Sequence, residues 1–268
     1  MIQPTKIRKK SDKAFKLRRL FSWHSRVRAR RRSCPNRTPK AFSWLCFGLL
    51  AGSIAAPSIA VELRAGFARI DITPKEPVML AGYASRKQLS ETVHDPLFAR
   101  VVAFEQDHQR LVLAAIENCG FYNSTADPLR KAVLSATGLK PSELFLCATH
   151  THSAPALGLD SQKSHRNNVQ YTQWLGSNLV EVVRQAFEHL GPIAIGVGSG
   201  SSPVGANRRE VVLDKQGKPQ VILGRNPSLM IDREVQVLKL ARPDGQNIAG
   251  LIFAANTHST ALGPANNS

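Results

Sequence analysis

The apolar run Leu144-Phe145-Leu146-Cys147-Ala148 stops abruptly at Thr149-His150-Thr151-His152-Ser153. Five continuous apolar residues between polar flanks read as a strand buried inside an α/β sheet. Ending such a strand with two histidines sets imidazoles at the lip of the sheet, where open α/β folds bind ligands. Side chains alternate along a strand, so extended backbone continued through 152 would point both rings the same way. Two neutral imidazoles converging on one point begin a zinc site. A second run, Leu251-Ile252-Phe253-Ala254-Ala255, likewise ends at Asn256-Thr257-His258. Two buried strands that each deliver a histidine at the carboxyl end converge at one pocket if they share a sheet.

The rest of the body alternates strand and helix signals. Residues 66–72 alternate like an edge strand and are closed by Thr73-Pro74. Residues 98–104 and 110–116 read as a hairpin across a polar turn. Residues 127–137 have helical spacing, with Asp127 as N-cap, Pro128 at the first position and Gly138 past the end. The longest amphipathic helix is predicted over 171–190, ended by Gly191-Pro192. A short strand over 193–198 leads into a Gly/Ser/Pro turn, and 234–240 with 248–254 form a further pair around Pro243-Asp244-Gly245. The fold class expected is α/β, a mixed sheet flanked by helices in a single domain, incomplete at its C-terminus because 261–268 reads as a loop cut in mid-course.

A net charge of +17 would point to nucleic acid or an anionic membrane. Its distribution removes that reading. Residues 1–40 hold 15 of the 36 Lys/Arg and one of the 19 acidic residues, leaving 21 basic and 18 acidic groups over the other 228 residues. The near-neutral body excludes a basic nucleic-acid cleft, although the tail alone suits a polyanion. Residues 41–60 follow as an apolar stretch ending in Ser58-Ile59-Ala60. A cationic n-region, an apolar h-region and a small-x-Ala end make a secretory signal peptide, with an uncleaved N-terminal anchor as the competing reading. Residues 1–40 are thus expected to be a basic, disordered n-region, 41–60 the h-region and cleavage site, and 61–268 a body that is secreted or periplasmic. Cys119 and Cys147 belong to that body, and their apolar flanks predict two unpaired, buried thiols.

Two His-x-His hydrolase patterns fail on the flanks. The metallo-β-lactamase-like motif needs Asp and His where this chain has Ala154 and Pro155. Amidohydrolase barrels place the pair near the domain start, with several more strands after it. Weaker candidates are Glu117, at the end of its own strand and able to reach the same lip, and a second-shell pair at His94-Asp95, for which a solvated turn is the plainer reading. Asp71 reads as a turn cap, and His108, His165 and His189 as surface residues.

Four blocks in order resemble the N-terminal catalytic domain of the neutral/alkaline non-lysosomal ceramidases. They are Gly66-Phe67-Ala68-Arg69-Ile70-Asp71-Ile72-Thr73-Pro74 with Gly82-Tyr83-Ala84, then Asp95-Pro96-Leu97-Phe98-Ala99-Arg100, then Ala148-Thr149-His150-Thr151-His152-Ser153 with Pro155. The fourth comprises Asn207-Arg208-Arg209 and the stretch from Phe253 through His258 to Thr260. The resemblance covers about 65–268. It implies a zinc-dependent hydrolase that cleaves the amide of an N-acyl, ceramide-like lipid by zinc-activated water, with some membrane-surface association and no nucleic-acid partner. By it, His150 and His258 are zinc ligands, and His152 and Arg208 line the pocket as catalytic residues that bond the amide carbonyl or substrate hydroxyls. It also implies a Glu and a Tyr ligand beyond residue 268, and two histidines alone fall short of the three or four protein ligands that zinc takes. The alternative function is a catalytically inert exported binding or scaffold protein that keeps the fold.

Overall fold

The alternation along β1 (Arg64–Asp71) sets the layering of the molecule. Ala65 and Phe67 face one side, while Ala68, Ile70 and the following Ile72 face the other, each side packing on a different core. A computed structural model describes residues 62–266 of the chain. The expectations for 1–40 and 41–60 lie outside those residues, and no described helix is long and apolar enough to cross a membrane.

β1 pairs antiparallel with β2 (Phe98–Gln106), which pairs antiparallel with β3 (Gln109–Ile116). The β2–β3 turn places Asp107 and His108 at positive φ, the twist a two-residue hairpin loop demands. Helix α1 (Ala126–Thr137) and a 3-10 turn at Pro141–Glu143 then return the chain to β4 (Leu144–Ala148), parallel to β3. Helix α2 (Arg166–Glu188) leads to the two-residue β5 (Gly191–Pro192) on the free edge of β1. The resulting sheet is mixed, in the order β4-β3-β2-β1-β5.

Both helices cover one face of this sheet. Val101, Ala103, Val112, Ala114 and Ile116 meet Leu129 and Val133 of α1 and Leu175, Leu179, Val182 and Val183 of α2, all buried. β1 and α2 approach so closely that a Cβ on Gly66 would lie 1.8 Å from the Ala186 carbonyl oxygen. On the other face Val102 and Phe104 pack against Leu240, with Leu238 and Ile252 at the margin. Those last residues belong to a second sheet, β6 (Ala194–Ser201), β9 (Glu234–Ala241) and β10 (Ile248–Ala255), in the order β10-β9-β6. β7 (Asn207–Leu213) and β8 (Pro219–Asn226) form a separate hairpin. The α/β class holds, and the described residues all fall within one compact unit.

Several local expectations need correction. The strands fall into three sheets, not one, and the β7–β8 hairpin is new. β6 runs on through the Gly/Ser residues that read as a turn, because pairing with β9 supplies hydrogen bonds that side chains there do not signal. The N-cap of α1 is Thr125, so Asp127 and Pro128 sit inside the first turn, while Gly138 takes the expected left-handed C-cap position. α2 starts five residues early because His165 caps it, its Nδ1 accepting the Asn167 N–H at 3.2 Å. Both body cysteines are free, as expected, yet Cys147 is exposed. β4 is an edge strand of its sheet, and Phe145 is exposed as well. β10 is also largely exposed, not the buried strand its apolar run suggested.

Candidate metal centre

Past the end of the β3–β4 ladder the two chains stay side by side. Thr149 donates its N–H to the Ile116 carbonyl at 3.0 Å, and Thr151 donates to that of Asn118 at 3.2 Å. His150 leaves the extended conformation altogether, with φ at 61°. His150 and His152 therefore meet through a left-handed turn and not through strand alternation. A left-handed histidine is strained, and such strain persists only where surrounding contacts enforce it. Here the contact is the Cys119 carbonyl oxygen, 2.6 Å from His150 Nδ1.

That contact fixes the tautomer. A carbonyl only accepts, so Nδ1 carries the proton and Nε2 keeps its lone pair. His150 Nε2 lies 3.3 Å from His152 Nε2 and 3.2 Å from His258 Nε2, and the three ring centroids are 4.7–4.8 Å apart pairwise. His258 arrives from the second sheet, three residues past β10, and is exposed. The two histidine-bearing strands thus converge across two packed sheets, where the sequence pointed to one.

The donor set fits a tetrahedral zinc. Zinc–nitrogen bonds of 2.0–2.1 Å put neighbouring ligand nitrogens roughly 3.3–3.4 Å apart, close to the separations found. A ligand histidine also donates its second ring N–H to a carbonyl or carboxylate, as His150 does. Cys119 offers a rival set, since its sulfur and one nitrogen of each of His150 and His152 lie within 4.8 Å of one another. Its sulfur, however, is on the Nδ1 edge of His150, 3.9 Å away, where the proton already sits. Burial pushes the Cys119 thiol up, against the smaller lowering effects of Tyr122 and Arg86.

His152 is held differently. Its Nδ1 is buried with no partner among the described residues, and Gly82 lies against it, at a φ of 99°, so close that a Cβ there would be 2.5 Å from that nitrogen. The Tyr83 ring meets the imidazole edge-on at 5.0 Å. Burial lowers the His152 pKa first, and the nearby His258, His150, Arg208 and Arg86 lower it further. His258 is lowered by burial and then by Arg208 and His150. Arg208, at the start of β7, thus stands close enough to bear on both rings, and no described carboxylate pairs with it.

The weaker candidates go elsewhere. Glu117 turns to β2, accepting the Phe98 N–H at 2.7 Å and pairing with Arg100, so it does not reach the histidines. His94 and Asp95 pair at 2.8 Å in solvent. Asp71 caps its turn by accepting the Thr73 N–H at 2.8 Å. Two contributors escape sequence reasoning: the Cys119 carbonyl, which no side-chain motif can announce, and Arg86, which sits in a polar stretch. A cavity of about 270 Å³ lined by Thr73, Ser90, Ser153 and Pro155, among others, contains none of the three histidines.

The family profile described as neutral/alkaline non-lysosomal ceramidase, N-terminal, matches residues 63–268. Among solved structures, the chain is similar to the neutral ceramidase of Pseudomonas aeruginosa, with 21% identity and a TM-score of 0.61 over 77% of this chain and 34% of that one. A ceramidase complexed with C2 is similar at 20% identity and a TM-score of 0.57, over 75% and 32% of the two chains. The chain thus spans about a third of the length of the solved structures it matches. No curated protein matches the sequence.

Proposed function

The chain belongs to the neutral/alkaline non-lysosomal ceramidase family, and from that membership we propose that it is a zinc-dependent hydrolase of the amide bond in an N-acyl, ceramide-like lipid. The observation that carries the reading is the approach of the His150 and His258 Nε2 atoms to 3.2 Å beside the His152 ring, with the His150 tautomer fixed by the Cys119 carbonyl. In this reading His150 and His258 hold the metal. Bound zinc supplies a Lewis acid and lowers the pKa of its water to about 7.

The remaining roles follow from what each side chain can donate. His152 lacks, among the described residues, the second hydrogen bond that braces a ligand histidine, since its buried Nδ1 meets no described partner. The proton of the neutral ring therefore belongs on Nε2, which faces the other two histidines and can donate to the oxygen of a scissile amide. Arg208 brings a fixed positive charge without a described carboxylate to neutralise it, suited to a developing oxyanion. The ordered Tyr83 ring and Gly82 hold His152 in place between them. Export rests on the sequence alone: residues 1–60 are proposed as a leader, so that the mature N-terminus falls near Val61.

Metal analysis and amide hydrolysis by the full-length protein test this together. The expected result is stoichiometric zinc and release of fatty acid from an N-acyl sphingoid substrate, both lost in His150→Ala and His258→Ala. Arg208→Ala should instead keep its zinc and lose about 100-fold in kcat. An active wild-type protein without zinc would overturn the metal assignment. A well-folded zinc protein that hydrolyses no N-acyl amide would favour the inert scaffold.

A further inference from the structure

Arg86 is the most unusual charge among the described residues. Its side chain is buried, the residue being 9% exposed, and no described carboxylate lies within ion-pairing distance. Among the described residues, every hydrogen-bond acceptor it has is a backbone carbonyl. Nη1 donates to Ala81 at 3.0 Å and to His152 at 2.5 Å, Nε donates to Pro264 at 3.2 Å, and Nη2 donates to Asn266. The guanidinium also lies over the Tyr83 ring, 4.8 Å from its centroid, and the Tyr83 hydroxyl donates to the Thr260 carbonyl at 3.3 Å.

These acceptors come from three separate stretches of chain. Ala81 precedes Gly82, which packs on His152; the His152 carbonyl belongs to the first histidine loop; Pro264 and Asn266 follow the second histidine, His258. A buried charge without a counter-ion is costly, and four carbonyl dipoles converging on a rigid planar fork are what make it tolerable. The arrangement satisfies four of the five donors and ties both histidine loops to one side chain.

We propose that Arg86 is a positioning residue that assembles the metal centre, holding the segment after His258 against the loop of His150 and His152 so that the imidazoles meet. The chemical consequence rests on the zinc reading above, but the tethering itself does not. Arg86→Ala would leave four carbonyls without their donor. Arg86→Lys keeps the charge and loses the fork.

Amide hydrogen exchange of metal-free, full-length protein separates the two claims. In Arg86→Ala, exchange over residues 257–266 should quicken about tenfold or more while β2 and β3 stay as protected as in wild type. Zinc affinity, read by chelator competition, should fall about 10- to 100-fold, the range for residues that orient metal ligands. Low-millimolar guanidinium ion should restore both in Arg86→Ala and neither in Arg86→Lys, which a general loss of stability would not reproduce. If Arg86→Ala does not fold, Arg86→Lys carries the test, with exchange over 257–266 again raised. Wild-type exchange there in either folded variant overturns the proposal. Raised exchange in a protein whose wild type binds no zinc would uphold the tether and sink the metal reading instead.

Discussion

His150 answers two demands with one residue. Its backbone is left-handed at a φ of 61°, and its ring must reach the Cys119 carbonyl with Nδ1 while offering Nε2 to the site. An L-residue other than glycine bears a penalty of about 1 kcal/mol in that conformation. His150→Gly should therefore be more stable than His150→Ala by about that amount in chemical denaturation, although both lose the imidazole. Equal midpoints would show that the turn relaxes once the imidazole is gone. Gly82 poses the complementary case. Gly82→Ala puts a Cβ into His152 and into a φ of 99°, so hydrolysis should fall at least about tenfold through displacement of that ring, with zinc content unchanged. Unaltered kcat would mean that His152 has room to shift. The two histidines were legible at this scale because an apolar run that stops at His-x-His is a strong signal. The left-handed turn was not, since nothing in His150 itself marks positive φ, nor was the part played by Arg86, whose partners lie as far as 180 residues along the chain.

Between elements, the contact of β1 with α2 is the tightest. A Cβ on Gly66 would meet the Ala186 carbonyl oxygen at 1.8 Å, and neither backbone can yield without opening the sheet-to-helix core. Gly66→Ala should cost about 3 kcal/mol or more, seen as a lowered denaturant midpoint. Tyr171 of α2 bridges the same pair of elements, donating its hydroxyl to the Ile72 carbonyl at 2.8 Å. Burial, then Asp71, pushes its pKa well above the ordinary value. A phenol raised in the folded state contributes stability that is whole below about pH 10, the pKa in the unfolded chain. That stability is lost as the pH climbs past this value, because the unfolded chain then releases the proton first. Tyr171→Phe should lower stability at neutral pH by about 1 kcal/mol and flatten the alkaline limb of the stability–pH curve. An unchanged alkaline slope would place the titration elsewhere. Helix α1, α2 and strands β1 to β4 were readable because burial on a helix or sheet face imposes its period. β8 and the far end of β6 are largely exposed, so burial imposes little period on them and pairing defines them.

Across the whole molecule, helices cover one face of the five-stranded sheet and a three-stranded sheet covers part of the other. Among the described residues nothing packs on the outer face of that second sheet, where Leu251 is 57% and Phe253 71% exposed. Exposed apolar area of this kind drives self-association. Leu251 stands directly opposite Lys239 in the ladder, so Leu251→Glu would replace an apolar contact with solvent by a cross-strand pair of opposite charge. Light scattering should fall while the melting temperature barely moves, and a drop in the melting temperature would show that Leu251 is packed. Sheet membership is the part of the architecture that sequence could not convey, since periodicity tells which face a strand buries but not which partner it finds. The hydrogen bond from His150 to Cys119 also bears on the order of folding events. Everything needed to make it lies between residues 98 and 152, in strands that pair with near neighbours in the chain. His258 comes 108 residues later, on a sheet that must first be built and docked, and closing so long a loop is entropically slow. The contact that places the proton on His150 closes a span of 31 residues and the one that brings His258 closes 108, so the first costs less closure entropy.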